Sequence, residues 1–119
     1  MYEILQTVVE TSIFRRRAEK LLSEQERRAL IDFLAWNADA VEEIQGTGSV
    51  RKVRFAARDK GSRGGVRVIY FVAGREIPIY ALLIYGKGEQ ADLDSDQLRQ
   101  VKALARDIKA AEDSAGRRG

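Results

Sequence analysis

Three stretches of strand-forming residues, 50–56, 66–72 and 77–85, follow one another with only polar or glycine-rich connections between them. That succession constrains the fold more than any other feature, and it reads as an antiparallel meander. In the first stretch Val53 and Phe55 fall on one face, and Lys52 and Arg54 on the other, because successive side chains of a strand point oppositely. The second is apolar on both faces except at Arg67, which predicts a central strand. In the third, Pro78 cannot donate to the ladder and belongs at the strand's beginning or on an edge. The connection Arg58 to Gly65 holds three glycines and is long for a hairpin, whereas Ala73-Gly74-Arg75-Glu76 suits a tight turn.

Helical periods flank this meander. After a short strand predicted over Glu3 to Val9, Thr11 or Ser12 is placed to cap a helix carrying Phe14, Ala18 and Leu21, with Arg15, Arg16 and Arg17 on its outer face. Ser23 with Glu26 forms a capping-box pattern opening a second helix through Leu30, Phe33 and Leu34. Trp36 reads as core. Asn37 to Gln45 reads as a connection, and Gly46-Thr47-Gly48 as punctuation before the next strand. Asp94 with Gln97 is placed to cap a last helix whose Leu98, Val101, Leu104, Ala105 and Ile108 make one stripe. The expected class is therefore α+β, a small antiparallel sheet in the order βααβββα with helices packed on one face and a basic strand surface on the other. One domain over residues 1–111 is expected, followed by a disordered basic tail over 112–119.

The 119-residue chain contains neither histidine nor cysteine. This excludes zinc sites of the usual kinds, Ser-His-Asp and Cys-His catalysis, and any nuclease mechanism built on two histidines. Glu89 and Asp92 read as surface acids, and neither a metal nor another cofactor is expected. Met1-Tyr2-Glu3-Ile4 lacks a basic flank, and no segment reaches the ~18 apolar residues of a membrane span, so a cytoplasmic protein is expected.

The net charge of +3 is unevenly spread: residues 1–49 carry −3, residues 50–93 carry +5 and residues 94–119 carry +1. Between residues 51 and 67, seven basic side chains (Arg51, Lys52, Arg54, Arg58, Lys60, Arg63 and Arg67) face a single acid, Asp59. Such a surface on paired strands suits a polyanion, above all nucleic acid. Gly61-Ser62-Arg63-Gly64-Gly65 lacks the Gly-Lys-Ser/Thr ending of a phosphate loop, and no helix follows it. Charge pattern alone favours plain binding over catalysis. Cleavage of RNA by internal attack would need the 2′ proton removed, the phosphorane charge neutralised and the leaving 5′ oxygen protonated. Arginine can serve the second need, and lysine the other two only where neighbouring cations or burial lower its pKa, as a crowded basic cluster tends to do.

The series Ile44-Gln45-Gly46-Thr47-Gly48, Arg51-Lys52-Val53-Arg54, Arg63-Gly64-Gly65-Val66-Arg67-Val68-Ile69-Tyr70, Ile84-Tyr85-Gly86-Lys87-Gly88-Glu89 and Asp92-Leu93 closely resembles the HigB branch of the RelE/ParE toxin superfamily, over roughly residues 3–110. The resemblance implies the toxin of a bacterial type II toxin–antitoxin system, held inactive by an antitoxin that commonly carries a helix-turn-helix domain. It implies a ribosome-dependent endoribonuclease that cuts mRNA without metal and so inhibits translation. The alternative within the superfamily is a ParE-like inhibitor of DNA gyrase with no nuclease activity. By motif position it assigns Arg67 and Arg54 to the phosphate and Lys52 or Lys87 to proton transfer. Arg51, Arg58, Lys60 and Arg63 then fall to RNA backbone contacts. The chain departs from many relatives in carrying Gly88 where they have Arg, and Asp94 about where some have Tyr or His.

Overall fold

The computed structural model describes residues 7–36, 44, 50–61, 64–72 and 78–116. The elements run β1 (Val8–Glu10), α1 (Ser12–Leu21), α2 (Glu24–Trp36), β2 (Val50–Phe55), β3 (Val66–Phe71), β4 (Ile79–Gly86) and α3 (Ser95–Gly116). The class is α+β, in the expected order of elements. Strands β2, β3 and β4 form the antiparallel meander, and β1 joins β4 in parallel, giving one mixed sheet in the order β1-β4-β3-β2. Every residue of β3 is buried, as befits its interior place. Of the strand predicted at the N-terminus, Glu3 to Gln6 lie outside the described residues, as do Asn37–Glu43, Gln45–Ser49 and the turn at Ala73–Glu76.

The helix starts follow from local chemistry. The Phe14 N–H donates to Thr11 Oγ1 at 3.1 Å. At α2 the Glu26 N–H donates to Ser23 Oγ, and the Ser23 N–H donates back to Glu26 Oε1. Asp94 and Gln97 make the same reciprocal pair ahead of α3, with bonds of 2.8 and 3.1 Å. Both capping boxes satisfy amides that a helix leaves without internal partners.

Two apolar clusters divide the sheet. Phe14 and Ala18 of α1, with Leu30 and Leu34 of α2, pack on Val53, Val66, Val68, Tyr70, Ile79, Ala81 and Ile84. The stripe of α3, Val101 and Ala105 flanked by Leu98, Leu104 and Ile108, packs with Val50, Ile69, Phe71, Leu82, Leu83 and Tyr85. Alternation along β3 puts these two sets on opposite faces. Trp36, read from sequence as core, is 53% exposed. It follows Leu34 by two residues, about 200° around the helix and away from the buried stripe.

A bulge in β4 breaks its alternation. Ile69 pairs with Leu83 and Tyr70 with Ala81, leaving Leu82 as the extra residue. Leu82 and Leu83 consequently both belong to the α3-side cluster. The last helix also runs further than its sequence reading, which placed a disordered tail from Glu112. Helix α3 continues to Gly116 through alanine-rich sequence, and Glu112 Oε1 accepts a hydrogen bond of 3.0 Å from the Tyr80 hydroxyl.

Candidate nucleic-acid interface

Alternation and pairing assemble basic side chains from two strands beside a tyrosine from a third. Arg54 lies opposite Arg67, and Arg67 opposite Tyr85, so the three form one row across β2, β3 and β4. Directly opposed residues on neighbouring strands hold their Cβ atoms about 4.5–5.5 Å apart, and like charges in that relation are destabilising. Lys52 lies two residues along β2 from Arg54, on the same face. Val53 and Phe55 belong to the opposite cluster, as their spacing predicts.

Arg67 is the anomaly of the row. It is only 8% exposed, the one charged residue among the buried residues described. Its guanidinium donates one long hydrogen bond, 3.4 Å to the carbonyl of Val66, and among the described residues no carboxylate pairs with it. A guanidinium offers five N–H donors, and burying its charge without a counterion is costly. Arg54, exposed beside it, also has no ion-pair partner among the described residues. The arrangement is matched to an incoming anion with several acceptor oxygens.

Tyr85 closes the row, and its hydroxyl is buried without a hydrogen-bond partner. Burial pushes its pKa up, as does the nearby Asp92 carboxylate, against the opposing pull of Arg67. The phenol therefore keeps its proton and can act as a donor. The Asp92 carboxylate is also 3.6 Å from the Lys52 ammonium. Asp92, read from sequence as a simple surface acid, is thus the anion lying at this basic cluster.

Lys87 is brought to the same end of the sheet. Its N–H donates to the carbonyl of Gly65 at 3.2 Å, and its side chain runs past Gly64, where an added Cβ would come within 3.2 Å of Lys87 Cδ. Gly65 has φ +77°, and a Cβ there would stand 2.6 Å from the carbonyl oxygen of Phe55, so glycine is required. Glu89 holds the Lys87 loop from its other side. It accepts from the Gly86 N–H at 2.8 Å and pairs with Arg17 at 2.6 Å, while Arg17 Nε donates to the carbonyl of Ile84. Arg17 is therefore a brace for this loop, whereas Arg15 and Arg16 face solvent.

The remaining basic residues separate. Arg58 is exposed, and its N–H donates to Glu26 Oε2 at 2.7 Å; the Asp59 N–H reaches the same oxygen at 3.3 Å. Burial raises the Glu26 pKa, yet the hydrogen bonds from the amides of Arg58, Ser23 and Asp59 outweigh it and hold the carboxyl below its ordinary value. Lys60 is exposed and donates to the carbonyl of Glu19. Arg51 alternates away from Lys52 and Arg54, onto the face of the α1–α2 cluster, and does not join the row. Arg63 lies outside the described residues. Sequence reasoning missed Tyr85 as a member of the site. Its pairing with Arg67 was the signal, but the bulge hides the face on which it lies. No protein-family model matches the chain.

Proposed function

We propose that this protein is the toxin of a bacterial type II toxin–antitoxin system, and that it cuts mRNA on the ribosome without a metal ion. The single observation that carries this reading is the buried, acid-free Arg67 set opposite Arg54, a pairing that costs stability and is useful only toward an anion. The likeness of the motif series to HigB-type toxins supplies the reaction and its setting.

In the proposed reaction the 2′ oxygen attacks the adjacent phosphorus, the P–O5′ bond breaks, and the products are a 2′,3′-cyclic phosphate and a free 5′ hydroxyl. Arg67 and Arg54 neutralise the equatorial oxygens of the phosphorane. Lys52 and Lys87 are the candidates to take the 2′ proton and return one to the 5′ oxygen. Without histidine or a metal this chemistry is weak by itself, so a ribosome that presents the mRNA in fixed geometry would supply much of the rate. Arg58, Lys60 and Arg63 are proposed to contact RNA backbone, Arg51 being turned to the other face, and an antitoxin to hold the protein inactive in the cytoplasm.

Purified protein should cleave mRNA on programmed ribosomes while sparing naked RNA, and Arg67→Ala should abolish the cut. Uncut mRNA, or equal cutting by the variant, refutes the proposal. Intact mRNA together with blocked supercoiling by gyrase would favour the ParE-like alternative.

A further inference from the structure

A buried hydroxyl without a partner is uncommon, since such a group gives up its hydrogen bonds to water and gains nothing in return. Tyr85 holds its hydroxyl in that condition directly beside Arg67, a guanidinium with unused donors. Two neighbouring groups on one face thus lack the same kind of partner, an oxygen-rich acceptor. The carboxylate near the phenol, Asp92, accepts from the Leu93 N–H at 2.8 Å and lies 3.6 Å from the Lys52 ammonium, and its side chain is 70% exposed. Its long pair with Lys52 and its exposure leave that lysine open to a competing anion.

Resting on the reading of this face as a phosphodiester site, we infer that the Tyr85 hydroxyl donates a hydrogen bond to a non-bridging phosphate oxygen held by Arg67 and Arg54, the phosphate taking the place of the Asp92 carboxylate beside Lys52. The contact is neutral and directional, whereas the arginines supply charge. It orients the phosphate relative to the sheet and adds nothing to the long-range field.

The test uses a fluorescein-labelled 2′-O-methyl RNA hexamer, which cannot undergo internal attack, with binding followed by anisotropy at low salt. Tyr85→Phe keeps the ring and deletes only the hydroxyl. It should weaken binding about tenfold, the worth of one hydrogen bond to a charged oxygen, while Tm stays the same or rises. Tyr80→Phe, which loses the bond to Glu112, should show the reverse, a lower Tm with unchanged binding. Equal binding by Tyr85→Phe overturns the inference, as does weaker binding accompanied by a lower Tm, or no binding by the unsubstituted protein. Cleavage assays on programmed ribosomes keep the two ideas apart. Binding that depends on Tyr85 without any cleavage upholds the contact and removes the nuclease reading. Cleavage by the unsubstituted protein, with Tyr85→Phe equal to it in both assays, does the opposite.

Discussion

The two faces of β3 are finished differently. Toward α1 and α2 the strand presents Val66, Val68 and Tyr70, all sealed beneath Phe14, Leu30 and Leu34. Toward α3 it presents Arg67, Ile69 and Phe71, and only the last two join the apolar cluster that α3 covers. One strand thus serves both purposes. Its first face is given wholly to stability, and one end of its second face is withheld from stability and kept for charge. Departures from good packing tend to mark functional sites, and this departure is confined to one row.

Four substitutions test that contrast, beginning with the largest effect. Leu34→Ala opens the sealed face and should cost about 2–5 kcal/mol of stability in urea unfolding; a loss below 1 kcal/mol would mean this face is not the structural one. Arg67→Met should leave stability equal or raised, because it removes an unpaired buried charge. The same change should lower cleavage on programmed ribosomes about 10²–10³-fold. A large loss of stability in this variant would erase the distinction between the faces. Gly65→Ala strains the junction that carries Lys87, through its positive φ and the 2.6 Å approach to Phe55. It should cost about 1–3 kcal/mol, measured by thermal unfolding. Glu26→Gln weakens the tie between the helical hairpin and the Arg58–Asp59 backbone, at a cost of about 1 kcal/mol after allowing for solvent screening. Because the folded pKa of Glu26 is lowered, its contribution is present above the ordinary value of 4.5 and fades as pH falls through the lower folded value. Unfolding curves on either side of pH 4.5 should therefore converge for the native and Gln proteins as the solution is acidified.

What could be read from the sequence was what depends on near neighbours. The alternation of Lys52, Val53, Arg54 and Phe55 is a local period of two, and both capping boxes span four residues, so each appears in the structure as written. The parallel pairing of Val8 with Ile79 joins distant parts of the chain, and nothing in either segment specifies it. Placing α3 over Val50, Ile69 and Phe71 likewise depends on the direction of the chain after β4. Of the site, Arg54, Arg67, Lys52 and Lys87 were legible as charges on or beside paired strands. That Arg67 would be buried without an acid was not, because burial is a property of the assembled sheet.

The extra residue Leu82 has a consequence for the kinds of change this chain can tolerate. With uninterrupted alternation from Tyr80, the α3 side would receive Leu82 and Ile84, and Tyr85 would turn toward the helical hairpin. The insertion reverses the phase of the strand and delivers the phenol to Arg67. Removing Leu82 would take out only that extra residue, so Ala81, Leu83, Ile84 and Tyr85 would alternate regularly and keep their present faces and partners. Drawing Leu82 into the ladder at full chain length would instead drive the ring into the sealed core and offer Ile84 to the arginine, with no side chain altered in chemistry. For this sheet, the bulge can lose its extra residue without moving the phenol from Arg67, but it cannot be flattened at constant length.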